Sequence, residues 1–183
     1  MWSIAVLAFV IVADATTVRD REARAAEGLS TIELEASDGV WAAKASIEVG
    51  DFVRENHTYS LKKLSPDTSQ RVIIDGKFAW GLEGTNEIEY PSKEIRSVSV
   101  DLAGTVINLP GEAFADCYEP STAVGEKSKD GKSYRWRYYY IWVSSVKKLA
   151  RIKMIGSDGT GGYRVVWTVH SNGKWSREIN LSD

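Results

Sequence analysis

Between Ile32 and Val49, apolar and polar residues alternate on either side of Asp38-Gly39, the pattern of a half-buried antiparallel hairpin. A two-residue turn there sets Ala36 opposite Trp41, Leu34 opposite Ala43 and Ile32 opposite Ala45 on an apolar face, with Glu33 opposite Lys44 on the polar one. Dipeptides that accept positive φ at both turn centres recur at Asp75-Gly76, Asp130-Gly131, Asp158-Gly159 and Asn172-Gly173. The second pairs Ile73 with Phe78 and Arg71 with Trp80, laying a guanidinium on an indole face. The last sets His170 opposite Trp175 and Thr168 opposite Arg177.

Strands are also predicted over Ile95 to Leu102 and Thr105 to Leu109, a tight pair about Ala103-Gly104. In the first, Val98, Val100 and Leu102 alternate with Ser97, Ser99 and Asp101. Ser144 to Met154 carries both a helical spacing, Val146/Leu149/Ala150, and a strand alternation, Ala150/Ile152/Met154, of which the strand is preferred. Pro110-Gly111-Glu112 opens a short helix near 111–117 with Ala113, Phe114 and Cys117 on one face. Glu119 to Ser133 reads as a long loop. Many short strands, frequent turns and no long amphipathic helices predict an all-β fold, an antiparallel β-sandwich, with a β-barrel as the alternative.

Composition agrees: seven Trp and eight Tyr, with Val, Ile and Thr, favour strands. At 183 residues the chain suits one domain with a hydrophobic core of its own. Its 23 basic and 25 acidic residues are spread along the chain, so no field of one sign points to nucleic acid as a partner. The first thirteen residues, MWSIAVLAFVIVA, are too short for a stable transmembrane span. Followed by Ala13-Asp14-Ala15 and Ala23-Arg24-Ala25, they read as a secretory leader over 1–25, although the start lacks Lys or Arg. A β domain over 26–183, secreted or held in the periplasm or cell envelope, is expected; the alternative is a buried first strand or helix.

No candidate catalytic or metal site emerges, and no cofactor is implied. Cys117 is the only cysteine, which rules out an intrachain disulfide and metal sites built on paired thiolates. It could form a thiol dyad with His170 or His57, but its apolar neighbours favour core packing. Glu112 and Asp116 lie one helical turn apart, a spacing more common on a solvated helix face than in a carboxylate-pair hydrolase. The glycines of GSDGTGGY precede a strand rather than a helix, so they read as a hairpin connection and not a phosphate loop.

The most suggestive stretch is YRWRYYYIWV. At strand period Tyr134, Trp136, Tyr138, Tyr140 and Trp142 project from one face, a candidate surface for stacking a glycan or anchoring a protein. The competing reading, favoured because exposed patches of that size are rare, is a central strand whose aromatics fill the core. The leading functional expectation is an exported, non-catalytic β-sandwich that binds a glycan, envelope component or protein. A small hydrolase using Cys117/His170 or a carboxylate pair, and a barrel holding an apolar ligand, are the alternatives.

Overall fold

The computed structural model describes residues 19–21, 29–63, 70–82, 90–121, 126–127, 133–134, 138–157 and 161–181. The leader segment, apart from residues 19–21, and the turns at Asp130-Gly131 and Asp158-Gly159 lie outside them. Fourteen strands are described, all paired antiparallel: β1 (Arg19–Arg21), β2 (Ser30–Ser37), β3 (Ala42–Asp51), β4 (Tyr59–Lys63), β5 (Gln70–Ile74), β6 (Lys77–Phe78), β7 (Lys93–Leu102), β8 (Thr105–Asn108), β9 (Glu126–Lys127), β10 (Ser133–Tyr134), β11 (Tyr139–Ser144), β12 (Leu149–Gly156), β13 (Tyr163–His170) and β14 (Trp175–Leu181).

Strands β1-β2-β3-β7-β8 form an N-terminal sheet and β11-β12-β13-β14 a C-terminal one; neither closes into a barrel. The fold is an all-β antiparallel sandwich. One core joins the inner faces: Leu34, Ile47, Val98 and Val100 from the first sheet meet Ile152, Met154, Val165 and Trp167 from the second. Each comes from a strand whose burial alternates with period two, so sequence alternation translates directly into an inner and an outer face. The small sheet β4-β5-β6 packs a second core of Val72, Ile74, Ala79, Leu82 and Tyr118, joined by Phe52, Tyr59 and Leu61.

The turns test the expected registers. Leu102 pairs with Thr105 across Ala103-Gly104, and Ile73 with Phe78 across Asp75-Gly76, as the alternation implies. All four turn residues have positive φ. Arg71 does not reach Trp80, however. It pairs with Lys62, while Trp80 leaves the sheet to bridge Cys117.

At Asp38 the connection is longer than expected, so Ala36 pairs with Ala43, Leu34 with Ala45 and Glu35, not Glu33, with Lys44. The Asp38 carboxylate accepts from the Val40 and Trp41 amides and closes a wider loop. The shift is two residues, which preserves the faces.

At Asn172-Gly173 the shift is one residue. Val169 pairs with Trp175 and Trp167 with Arg177, which turns Trp175, Arg177 and Ile179 inward. Ser144 to Met154 resolves into the end of β11, a turn over 145–148 and β12, whose Ala150, Ile152 and Met154 are buried. The expected short helix is one 3-10 turn, Gly111–Ala113, so Glu112 and Asp116 do not share a helix face. Glu112 is exposed and Asp116 buried.

Candidate functional site

The aromatic strand is an edge strand, not a central one. Its odd-numbered residues Tyr139, Ile141 and Val143 face the core opposite Met154, Ile152 and Ala150. The Tyr139 hydroxyl donates to the Ser121 carbonyl at 2.6 Å. Tyr140 and Trp142 therefore stand on the outer face, the first half-buried and the second 40% exposed, so the core-filling reading fails for both. Their neighbours explain the choice: Tyr140 pairs with Lys153 and Trp142 with Arg151, and the opposite facing would bury two cations in an apolar core. Each cation instead lies over a ring, Arg151 at 5.5 Å from the Trp142 centroid and Lys153 at 5.1 Å from that of Tyr140. Tyr138, just before the strand, is half-buried and packs against the core. Tyr134 pairs with Glu126 through its backbone; its side chain and the whole of Trp136 lie outside the described residues.

Sequence reasoning missed a polar cluster where the small sheet meets β7. His57 follows a 3-10 turn, Arg54–Asn56; Asp75 occupies the β5–β6 turn, and Glu94 and Arg96 lie on β7. Nδ1 of His57 lies 2.7 Å from Asp75 Oδ2 and Nε2 lies 3.4 Å from Glu94 Oε2, while Arg96 approaches Glu94 to 2.7 Å. Phe52 stacks on the imidazole at 4.4 Å. Burial pushes the Asp75 carboxyl up, but hydrogen bonds from Thr58 and His57 outweigh it and leave the group below its ordinary range. With a carboxylate near each nitrogen and a ring on one face, His57 fastens one sheet to the other. Arg96 also lines an open groove of about 480 Å³ with Leu29, Glu48, Gly50, Asp51 and Val53. Only the isolated polar residue types in otherwise strand-like sequence hinted at this cluster.

Cys117 is buried with Ala113 and Phe114 as expected, and burial, reinforced by the neighbouring Asp116 carboxylate, pushes its thiol well above the ordinary range. The proposed dyad partners are not brought to it. Cys117 packs beside Tyr163 at one end of β13, whereas His170 ends the same strand seven residues away, about 23 Å along it and on the outer face. Cys117 and its neighbour Tyr118 point into different cores, and the Phe52–His57 stack lies on the Tyr118 side. Asp116 is held by Arg177, whose Nη2 donates to Oδ2 at 3.0 Å and whose Nη1 contacts Oδ1. Among the described residues, no group of three or more His, Cys, Asp or Glu side chains is placed to hold a metal ion, and no helix is long and apolar enough to cross a membrane.

No protein-family model matches the chain, and neither a curated protein nor a solved structure matches it.

Proposed function

We propose that the protein is an exported, non-catalytic β-sandwich that binds a glycan or a protein of the cell envelope through the outer face of its C-terminal sheet. One observation carries this reading: Tyr140 and Trp142 stand outside a strand whose inner face is already filled by Tyr139, Ile141 and Val143. Rings in that position add little to the core, yet they offer rigid, amphipathic anchors to a ligand. Beyond Tyr138, which packs against the core, the sequence adds further aromatics at Trp136 and Tyr134. Hydrolase chemistry has less support, because Cys117 is a buried thiol with a raised pKa and Asp116 is committed to Arg177. Export is proposed from the leader-like 1–25 segment. Sequencing the protein recovered from its producing cell should find a start near Thr16, which keeps β1 in the sheet, or near Ala26, which removes it, and an intact Met1 on a cytoplasmic product would refute export.

Binding is tested on an array of immobilised envelope glycans and proteins. Trp142→Ala should keep the wild-type melting temperature and lose the signal. Equal signals from the two proteins would remove the face from the mechanism.

A further inference from the structure

We propose that the ligand of this face is an acidic polysaccharide, whose sugar rings lie against Tyr140 and Trp142 and whose carboxylates or sulfates meet Arg151, Lys153 and Arg164. The proposal rests on the binding role given to the face above, and adds the class of ligand.

The argument is one of charge. Register and alternation place Tyr140, Trp142, Arg151, Lys153, Ile155, Arg164, Val166, Thr168 and Glu178 on the outer face of the C-terminal sheet. Three cations there stand against one acid. On the outer face of the other sheet the signs are closely matched: Glu33, Glu35, Glu48 and Asp101 stand with Lys44 and Arg96, and the register of β1 sets Arg19 and Arg21 opposite Glu33 and Thr31. Among the described residues, the face that carries the rings therefore has an excess of positive charge.

These cations are also poorly neutralised. Among the described residues Arg151 has a single ion-pair partner, Glu178 at 3.9 Å, beyond hydrogen-bond reach. Neither Lys153 nor Arg164 forms an ion pair among the described residues, whereas Lys44 on the opposite sheet is paired with Glu35 at 3.0 Å. A guanidinium whose Nη groups are this loosely paired is suited to a planar carboxylate or a sulfate. Two positions along β11 set the rings about 7 Å apart, and the cations follow on strands spaced about 4.8 Å from one another. Such a surface can hold an extended chain that presents an apolar sugar face and an anionic group together.

The full chain should be retarded in gels containing polygalacturonate or dextran sulfate at about 0.15 M salt, and should run freely in neutral dextran. Arg151→Gln and Trp142→Ala should each weaken retardation at least about fivefold, as for a central contact. Arg164→Gln, at an exposed position, provides a second variant if Arg151→Gln fails to fold. Lys44→Gln, on the opposite sheet, should change nothing.

Retardation in neutral dextran that Trp142→Ala abolishes and Arg151→Gln leaves intact would overturn the acidic ligand and keep the binding face. Retardation by the anionic polymers that ignores Trp142→Ala would overturn both. Tighter binding to vesicles of anionic phospholipid than to either polymer, or self-association abolished by Arg164→Gln, would assign the face to a membrane or to a second copy and overturn the proposal.

Discussion

Removing the Asp116 carboxylate should damage the fold more than any other single polar change at the covered end of the sandwich. The segment after β8 closes that end, and three contacts hold it down. Trp167 Nε1 donates to the Ala113 carbonyl at 2.8 Å, Arg177 Nη1 donates to the same carbonyl at 3.2 Å, and Arg177 grips both oxygens of Asp116. The Asp116 side chain is 10% exposed and that of Arg177 21%. In Asp116→Ala the guanidinium stays in its place without its counter-ion. Breaking a buried pair costs about 3–5 kcal/mol, and the residual exposure of Arg177 puts the expected loss near the lower end, about 3 kcal/mol. For a domain of this size that lowers the melting temperature by about 6–12 °C.

Urea denaturation of wild type, Asp116→Ala, Arg177→Met and the double variant measures the effect, with an unchanged m-value as the check that the unfolded state is the same. The double variant should recover most of the loss, because an apolar pair of similar volume leaves no stranded charge. Single losses below about 1 kcal/mol, or a double variant as unstable as the sum of the singles, would refute the reasoning.

Cys117 should react with a thiol reagent only slowly until denaturant is added, and Cys117→Ser should cost about 1–3 kcal/mol by burying a hydroxyl; rapid labelling of the native protein would contradict its placement in the core. The Asp38 carboxylate is held well below its ordinary range, first by the Trp41 amide and then by Ser145. A depressed folded pKa contributes stability that is present above the unfolded value of about 3.9 and lost as pH falls toward the folded one. Thermal melts from pH 5 down to pH 2 should therefore show a steeper decline in wild type than in Asp38→Asn, and parallel curves would show that this carboxylate adds nothing to acid sensitivity.

The fold was legible because alternation is a local property that burial reads out directly. Val98, Val100 and Leu102 are buried and Ser97, Ser99 and Asp101 are not, whatever the partners of β7. Alternation does not say how wide a connection is. At Asp38 an apparent two-residue turn is widened by a carboxylate that serves its own loop and also accepts from the Ser145 amide, 107 residues away, at 2.6 Å. No local pattern reports a partner at that separation. The facing of the aromatic strand, by contrast, could be read from its neighbour. Once a turn is placed at 145–148, Arg151 and Lys153 fall opposite Trp142 and Tyr140, and the cations commit the rings to solvent.

The single-residue slip at Asn172-Gly173 has larger consequences than the two-residue shift at Asp38. Asn172 Oδ1 accepts from the Lys174 amide and the Gly173 amide donates to the His170 carbonyl, so the connection takes up an odd number of residues more than a tight turn does. Period-two geometry then reverses every side chain of β14 relative to the sequence expectation. Under the expected register Arg177 would share the outer face with Thr168, adding a fourth cation beside the aromatic rings. In the observed register it stands opposite Trp167 on the inner face and meets Asp116 instead, and Glu178 takes the outer position opposite Val166. One residue in a surface turn therefore decides whether Arg177 closes the end of the sandwich or joins the candidate binding face. Deleting one residue from that turn leaves two residues between His170 and Lys174, a tight turn that keeps the observed pairs. Trp175, Arg177 and Ile179 then stay inward, so the deletion variant should keep a urea midpoint near that of the wild type, and a collapse of stability would refute the assigned register.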